Sequence, residues 1–502
     1  MRDVIVIGAG FGGMVCAAKL AHAGKRVLVL EKCPHIGGTS YVFRRGGYTF
    51  PMGPLAFSFP QKVKELLGEA GVREEIGFAR NSFGLRTPAI DITYSSPLAE
   101  LEESLGRIYP LERPGIKIVL GEIRGIIDLM SDLHLWHPDF RRGRGARPPG
   151  AVPDEAERIK RLESLSRTPS SILLNKNIYD PNLIRLLGSM GASEPAMSLL
   201  NLAFMWNMMS EVGIWSPSCG IHGLADLLYQ AILRHGGEVR LGAQVREIVV
   251  KGGRTAGVRT ANETLEAEWV VSNADYKTTF LDLIPAEVLS RAHLDLVRAV
   301  PYTASELCVY LGIDPRRVDL KAAGRDHLFY QEAVDGQEAS GFGDFSRSEV
   351  EICRWSLISP WSVPEGKESL ILRTGFSCDD FSCWRTGEKQ RKEGYREMKR
   401  NLALELIRTL EGILPGLESS VEVMEIATPL TYQDWGNRYR GSIAGWTWTA
   451  AGAANFQGKL LVQTPVPGLL AAGIFAATQL FLGGVPTALQ TGSWAADIIF
   501  EG

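Results

Sequence analysis

A short, uninterrupted run of apolar residues opens the chain. Val4 to Ile7 predicts a buried parallel strand, because such a strand is covered on both faces. A glycine-rich turn follows, and the residues from about Gly12 to His22 predict a helix that Gly24 ends. Arg26 to Leu30 predicts a second strand. The first thirty residues therefore predict a strand–helix–strand unit.

Three later segments also have patterns that predict regular elements. Residues 239–250 alternate enough to predict one strand, which Gly252 and Gly253 turn back. Residues 469–472 predict a buried strand. A helix is expected to begin near Pro486, because proline is favoured in the first helical turn.

The middle of the chain contains two apolar segments. Residues 118–136 have apolar positions three and four apart, which predicts one apolar helix face: Val119, Ile123, Ile126, Ile127, Met130 and Leu133. A basic loop follows, with Arg141, Arg142, Arg144 and Arg147. The pattern favours a packed helix with a solvated loop, and docking on anionic lipid is the alternative. Residues 195–210 carry no charge and favour a buried core helix, with a lipid-tunnel wall as the alternative.

The turn after the first strand has the spacing of a dinucleotide-binding motif. Gly8, Gly10 and Gly13 form G-x-G-x-x-G, and Glu31 follows the second strand. Glycines allow a tight turn and a close approach of backbone to a pyrophosphate at the helix N-terminus. The acid can accept hydrogen bonds from ribose hydroxyls and disfavours a 2′-phosphate. We therefore predict one bound dinucleotide other than NADP, with a glycine-rich turn of another βαβ unit as the alternative.

Composition narrows the class of protein. The 502 residues include 45% hydrophobic residues and carry a net charge of −3, which exclude a disordered chain and disfavour a nucleic-acid binder. The odd number of seven cysteines fits a reducing compartment. Residues 4–23 and 466–489 are long apolar stretches, but glycines or prolines interrupt them. We expect a cytoplasmic protein without a cleaved leader, with peripheral contact at the inner membrane face left open.

Candidate metal ligands are few. His134 and His137 lack companions at ligand spacing, and Cys378 and Cys383 lack a nearby histidine or second cysteine pair. We therefore expect no metal site.

Several motifs follow one another in a fixed order. They are Glu31-Lys32 before Gly37-Gly38, Gly47-Tyr48 before Gly53-Pro54, Pro217 to Leu224, Asn273 to Asp275, Thr428 to Gly445, Gly468 to Gly473, and Gly483 to Pro486. In this order they resemble the FAD-dependent carotenoid desaturase family, which includes phytoene desaturases, carotenoid isomerases and retinol saturases. The resemblance covers most of the chain, although residues 76–215 and 281–425 match only loosely.

The resemblance implies FAD as the dinucleotide and a set of contacts to it. It implies pyrophosphate contacts in the first glycine turn, ribose contact at Glu31, and adenine contact at the Val245 backbone. It implies that Gly53-Pro54 and Gly484-Val485 lie by the isoalloxazine ring. The expected contact residues are Gly8, Gly10, Phe11, Gly12, Gly13, Glu31, Lys32, Gly38, Thr39, Ser40, Gly53, Pro54, Val245, Asn273, Gly473, Gly484, Val485 and Pro486.

The resemblance also implies an α/β fold with two interleaved domains. A Rossmann-like FAD-binding domain would comprise residues 1–75, 216–280 and 461–502. An α+β substrate or lid domain would comprise residues 76–215 and 281–460. This is the arrangement of the amine oxidase and GDP-dissociation-inhibitor superfamily.

The function that the resemblance implies is hydride exchange between flavin N5 and a C–C or C=C bond of a hydrophobic isoprenoid or polyene lipid. Desaturation, saturation and cis–trans isomerisation all stay open, as does the external electron acceptor or donor. A flavin amine oxidase and a flavin-free prenyl-lipid escort are the alternatives. Amine oxidases usually carry an acid after the glycine at position 473, where this chain has Ile474, and desaturases commonly have Asp where it has Pro51. His222 is a candidate for a catalytic side chain, and Tyr439 and Arg438 are comparable candidates.

Overall fold

Strands and helices follow one another along the computed structural model, which describes residues 2–132, 155–189, 197–333, 342–447, 461–477 and 483–502. The strands up to residue 272 are β1 (Arg2–Ile7), β2 (Val27–Leu30), β3 (Val42–Arg45), β4 (Tyr48–Pro51), β5 (Phe57–Ser58), β6 (Phe78–Arg80), β7 (Phe83–Arg86), β8 (Asp91–Thr93), β9 (Ile214–Pro217), β10 (Glu238–Arg240), β11 (Val245–Lys251), β12 (Arg254–Thr260) and β13 (Thr264–Ser272). The later strands are β14 (Ser305–Ile313), β15 (His327–Tyr330), β16 (Val350–Cys353), β17 (Glu368–Phe376), β18 (Arg385–Gly387), β19 (Gln390–Arg391), β20 (Val421–Ala427) and β21 (Leu469–Ala471).

The α-helices lie between and around these strands. They are α1 (Phe11–His22), α2 (Pro60–Glu69), α3 (Leu98–Ile108), α4 (Arg113–Asp132), α5 (Glu155–Arg167), α6 (Ser170–Asn177), α7 (Pro181–Ser189), α8 (Leu199–Trp206), α9 (Gly220–Arg234), α10 (Arg291–Ala299), α11 (Trp355–Ile358), α12 (Asp379–Ser382), α13 (Tyr395–Thr409), α14 (Leu417–Ser420), α15 (Pro429–Asp434) and α16 (Gly484–Glu501).

One sheet gathers strands from both ends of the chain. Its order is β10-β2-β1-β13-β12-β11, and β21 pairs with the C-terminal part of β13. The pairs among β10, β2, β1, β13 and β21 are parallel, whereas β11, β12 and β13 form antiparallel pairs. Because carboxyl ends of parallel strands share one edge, the residues after β1, β2, β13 and β21 meet there.

The predicted strand–helix–strand unit is confirmed. Val4 pairs with Val27 on one side and with Trp269 on the other, so β1 is an interior strand. Its residues from Val4 to Ile7 are buried, as the continuous apolar run predicts.

The prediction of a single strand over residues 239–250 is wrong. The segment forms β10, which pairs with β2, and β11, which pairs with β12. Gly242 lies between them with a φ of +67°, a left-handed conformation that breaks the strand. The Gly242 amide donates to the Cys33 carbonyl, and the Ala243 amide donates to the Glu31 carbonyl.

The predicted C-terminal strand and helix are confirmed, although α16 begins two residues before Pro486. This helix lies against α1 at two glycines. A Cβ on Gly492 would be 2.0 Å from the Gly12 carbonyl oxygen, so only a residue without a side chain lets the helices meet here.

A second sheet has the order β20-β14-β17-β16-β15-β7-β8. Every residue of β14 is buried, because the sheet is covered on both faces. One face packs against α13 through Leu402 and Leu406, and the other packs against Tyr48 and Phe50 of β4. The second face also borders the functional cavity described below.

The helix predicted over residues 118–136 is α4, and its apolar face packs in the interior. Val119, Ile123, Ile126, Ile127 and Met130 are buried in a core with α3, α6 and α8. The packed-helix interpretation is confirmed, and this buried face is not the one that could dock on lipid. Residues 133–154, which include Leu133, His134, His137, Arg141, Arg142, Arg144 and Arg147, lie outside the described residues.

The uncharged segment over residues 195–210 forms part of the same core. The described part contains α8 and the first residues of a π-helical segment, Asn207–Val212. Trp206 is fully buried and donates from Nε1 to the Leu187 carbonyl at 2.8 Å. The core-helix prediction is therefore confirmed for α8. In the described ranges, every helix is too short or too polar to cross a bilayer.

Candidate functional site

A cavity of about 480 Å³ opens at the carboxyl edge of the first sheet, beside the second. Sixteen of the eighteen predicted cofactor contacts line it: Gly8, Gly10, Phe11, Gly12, Glu31, Lys32, Gly38, Thr39, Ser40, Gly53, Pro54, Val245, Asn273, Gly473, Gly484 and Val485. Gly13 and Pro486 do not. Residues far apart in sequence thus come together around one space.

The first glycine turn brings backbone, without side chains, to the cavity. Gly8 has a φ of +93°, and its amide donates to the Leu30 carbonyl at 2.8 Å. A Cβ on Gly13 would be 2.2 Å from the Gly8 carbonyl oxygen. Gly13 therefore allows α1 to pack against the turn, which explains its place behind the cavity wall.

The side chain of Asn273 lies among glycines from both ends of the chain. Its amide nitrogen would be 2.8 Å from a Cβ on Gly10, and its carbonyl oxygen would be 2.7 Å from one on Gly12 and 2.6 Å from one on Gly473. A Cβ on Gly12 would also be 2.4 Å from the Gly473 amide nitrogen. The glycines of the N- and C-terminal motifs are therefore required for one common packing arrangement.

Glu31 is buried at the end of β2, beside the turn. Its carboxylate accepts hydrogen bonds from the Ala9 amide at 2.7 Å and the Cys33 amide at 2.8 Å. A carboxylate has about four acceptor sites, so the two oxygens can accept further hydrogen bonds from hydroxyl groups in the cavity. The hydroxyl groups of a ribose could donate such hydrogen bonds to Glu31.

The loop after β2 closes against the same turn. The Gly37 amide donates to the Ala9 carbonyl at 2.8 Å, and a Cβ on Gly38 would be 3.4 Å from the Gly10 Cα. A Cβ on Gly53 would be 2.5 Å from the Thr39 carbonyl oxygen. The backbone is thus exposed to the cavity at the Gly8–Gly12 turn, at Gly38 and at Gly53.

A polar wall that sequence reasoning missed faces the opposite side. Arg373 of β17 donates from Nη2 to the Gly53 carbonyl, and its guanidinium lies 3.7 Å from a Glu306 oxygen and 3.9 Å from a Glu351 oxygen. Tyr432 donates to the Glu306 carboxylate at 2.6 Å. Burial acts to lower the pKa of Arg373, but the two carboxylates outweigh it and hold that pKa above its usual value.

A second buried acid lies at the carboxyl edge of the first sheet. Asp275 accepts from the Tyr302 hydroxyl at 2.7 Å, the Lys277 amide at 2.9 Å, and the amides of Thr278 and Tyr439 at 3.3 Å. Burial raises the pKa of Asp275, although these four donors oppose the shift. The acid joins the sheet to the segment near Tyr439, and it also lines the cavity.

His222 does not line the cavity. Its imidazole lies behind Gly37, 3.7 Å from an Asp226 oxygen, and its ring meets the Tyr41 ring edge-on at a centroid distance of 5.2 Å. Burial lowers the pKa of His222, and Asp226 acts against the shift. Gly37, which lines the cavity, thus lies between this histidine and the cavity.

The residues fit a dinucleotide such as FAD. The glycine turn is a cradle that any Cβ at Gly10 or Gly12 would disturb, and the Glu31 carboxylate offers acceptors beside it. The sequence profile described as flavin containing amine oxidoreductase matches residues 11–500. The chain belongs to this family. It is an FAD-dependent oxidoreductase, and the predicted fold class is confirmed.

Individual relatives show where the chain stands within the family. Prolycopene isomerase of Daucus carota is 27% identical over 460 residues, which cover 88% of this chain and 71% of the relative. The zeta-carotene-forming phytoene desaturase of Myxococcus xanthus is 26% identical over 468 residues, which cover 88% and 83%. Cyclohexylamine oxidase from Brevibacterium oxydans has a similar structure, with a TM-score of 0.63 and 17% sequence identity. The match covers 100% of this chain and 99% of that one, so the two proteins share the fold.

Proposed function

We propose that this FAD-dependent oxidoreductase acts on C–C or C=C bonds of a hydrophobic isoprenoid or polyene lipid. The observation that carries the proposal is the meeting of the N- and C-terminal glycines around Asn273, in a chain similar along most of its length to carotenoid isomerases and desaturases. Desaturation, saturation and isomerisation are all compatible with it. Desaturation would need an external electron acceptor and saturation an external donor.

The residues of the cavity would hold FAD and orient it. The Gly8–Gly12 turn and Gly38 would meet the pyrophosphate, Glu31 the ribose, and Val245 the adenine. Gly53, Pro54, Gly484 and Val485 would flank the ring, and FAD held there would supply hydride-transfer chemistry. Gly13 and Pro486 support this site from behind. Apolar residues near the ring, Ile443, Ile474, Phe475 and Ala488, would exclude water from the reacting bond.

We keep the five-segment division as part of the proposal. Residues 1–75, 216–280 and 461–502 would form the cofactor domain, and residues 76–215 and 281–460 the substrate domain. The division is supported by the two sheets, because β1, β2, β10 to β13 and β21 form one and β7, β8, β14 to β17 and β20 form the other.

Amine oxidation is the second candidate, because the fold is shared with amine oxidases. Those enzymes usually have an acid after this glycine, whereas here Ile474 follows Gly473. The isoleucine disfavours amine oxidation. A screen of the FAD-loaded protein separates the two. We expect polyene products by chromatography and no hydrogen peroxide from a panel of primary and secondary amines. Peroxide release with an amine, and no polyene product, would replace the proposal with amine oxidation.

An apolar substrate also needs a route from the membrane, and we propose peripheral contact through one surface. The apolar-basic surface consists of exposed apolar side chains on α3, α4, α6 and the loops beside them: Ile108, Leu111, Ile118, Ile172 and Tyr179. The amides of Tyr179 and Asp180 donate to the Glu112 carboxylate, which holds these loops together. Exposed basic residues lie on the same helices: Arg107 on α3, Arg113 and Lys117 on α4, and Lys176 on α6. Such a surface suits an anionic bilayer.

A further inference from the structure

Three residues with hydrogen-bonding side chains line the cavity, and none of them is among the predicted cofactor contacts. They are Arg373 and Arg438, each with a guanidinium group, and Ser442, with a hydroxyl. A Cβ on Gly53 would be 3.0 Å from Nη2 of Arg438. The two guanidinium groups therefore lie at the part of the site that we assign to the flavin ring, and the Ser442 carbonyl accepts a hydrogen bond from Arg438 beside them.

The two arginines differ in how their charge is balanced. Arg373 has Glu306 and Glu351 beside it. Arg438 donates from Nη1 only to the backbone carbonyls of Ser442 at 3.5 Å and Ile443 at 3.3 Å, and it forms no ion pair with any carboxylate that the structure describes. Its guanidinium carbon lies 5.3 Å from the centre of the Tyr432 ring. Burial lowers the pKa of Arg438, as an incompletely balanced cation requires.

The Ser442 hydroxyl is buried without a hydrogen-bond partner among the described residues. Ser442 as a whole is 2% exposed. Nε of Arg373 makes no hydrogen bond to any residue that the structure describes, although it lies 3.7 Å from a Glu306 oxygen. A buried donor without a partner costs about 1–3 kcal/mol, so the Ser442 hydroxyl beside two guanidinium groups indicates a ligand that satisfies it.

The backbone that carries Arg438 is itself held in an uncommon conformation. Asn437 has a φ of +55° and Arg440 a φ of +50°, both in the left-handed region. Such residues cost free energy and persist where surrounding structure fixes them, often at ligand sites. The Tyr439 amide between them donates to Asp275, which anchors the segment.

We propose that Arg438 and Ser442, with Arg373 beside them, bind an anionic or carbonyl oxygen at the ring end of the cavity. This inference rests on the proposed function and sharpens it. The oxygen has two sources: an oxygenated end of the polyene substrate, or a carbonyl or phosphate oxygen of the cofactor. In the first case the substrate is a polyene with a carboxylate or carbonyl group and not a pure hydrocarbon, which would leave the buried donors unpaired.

The test compares Arg438→Gln and Ser442→Ala with the wild-type FAD-loaded protein and with Arg44→Gln, which removes an exposed guanidinium that does not line this cavity. Flavin difference spectra give the Kd of two probes, retinoic acid and the matching hydrocarbon axerophtene. Dye-coupled titration gives the flavin midpoint potential, and titration of apo-protein gives the Kd of FAD. Melting temperatures check that each variant is folded.

We expect both cavity variants to weaken retinoic acid binding about 10-fold or more and to leave axerophtene and the flavin properties unchanged, which identifies the substrate as the source. A lower midpoint potential or weaker FAD binding, with equal effects on the two probes, identifies the cofactor. If both variants are folded and their probe Kd values, midpoint potential and Kd of FAD all equal those of the wild type, the proposal that Arg438 and Ser442 bind an oxygen is overturned. A protein that never binds FAD would instead overturn the proposed function.

Discussion

Gly12 lies so close to Gly473 that a Cβ at position 12 would be 2.4 Å from the amide nitrogen of Gly473. The amide of Gly473 donates to the Thr491 hydroxyl at 3.0 Å, so it has little freedom to move away. The start of α1 and the end of β21 are thus locked together at the cofactor cavity.

Gly12→Ala is expected to lower the unfolding free energy by about 1–3 kcal/mol and to weaken FAD binding, because the methyl group overpacks a backbone contact. Thermal melting and FAD titration measure the two effects. Gly68→Ala is the matched control: Gly68 lies in α2 with open space around its Cβ position, and alanine there should be neutral or stabilising. Equal behaviour of the two variants would show that the contact is unimportant.

Glu31→Gln is expected to weaken FAD binding about 10- to 100-fold, because the carboxylate loses charge-assisted hydrogen bonds worth about 1.5–3 kcal/mol. The amide group also turns a donor toward the Ala9 or Cys33 amide. Fluorescence titration of apo-protein with FAD measures the change. Glu103→Gln, on the exposed side of α3, should bind FAD like the wild type. Unchanged affinity in Glu31→Gln would remove this acid from the site.

Glu349 predicts a pH dependence of stability. Burial, with the Glu351 carboxylate acting second, raises the pKa of Glu349 from 4.5 to about 8. Between these values the folded protein keeps a proton that the unfolded chain releases. As the pH rises from about 5 to about 8, the unfolding free energy of the wild type should therefore fall by up to about 1.4 kcal/mol per pH unit because of this group.

Glu349→Gln removes that proton equilibrium, so its stability relative to the wild type should rise from pH 5 to pH 8. Urea denaturation at each pH measures the difference, in which the other titrating groups cancel. A difference that stays constant with pH would contradict the shifted pKa.

The apolar-basic surface predicts a variant with weaker membrane binding and normal stability. Leu111 is 96% exposed and Tyr179 is 87% exposed, so changing both to Glu should alter the unfolding free energy by less than about 0.5 kcal/mol. Co-sedimentation with vesicles of anionic lipid should fall at least about 5-fold.

Leu241→Glu, at an exposed leucine beside Gly242, is the control for adding an acid elsewhere on the protein. It should bind vesicles like the wild type. If the double variant does the same, or if the wild type binds neutral and anionic vesicles equally, the surface is not the membrane contact.

The sequence predicted the elements whose signals are local. The apolar run of β1, the glycine spacing and the acid after β2 lie within thirty residues, so backbone conformation and periodicity were enough. The prediction of a single strand over residues 239–250 was wrong because the alternating pattern continues across Gly242. The left-handed φ of this glycine separates β10 from β11.

The polar wall was not predictable, because it depends on the pairing of β14 with β17. Their register places Cys308 opposite Arg373 and Glu306 opposite Gly375, which brings an acid and a base onto one face. β14 is a mostly apolar strand with one charge, Glu306, and in β17 Arg373 follows the apolar run Leu370-Ile371-Leu372. Such an isolated charge in a buried strand is the signal that could have pointed to the cavity.

An anaerobic single-turnover experiment tests the central claim most directly. The FAD-loaded protein is mixed with polyene isoprenoids while the flavin is either oxidised or chemically reduced, and the flavin spectrum and product mass are measured in one sample. We predict a loss of two hydrogens with oxidised flavin or a gain of two with reduced flavin, in amounts that match the flavin, or else an isomer of equal mass with the redox state of the flavin unchanged. Polyenes that stay unchanged with both flavin states, while an amine reduces the flavin, would contradict the account.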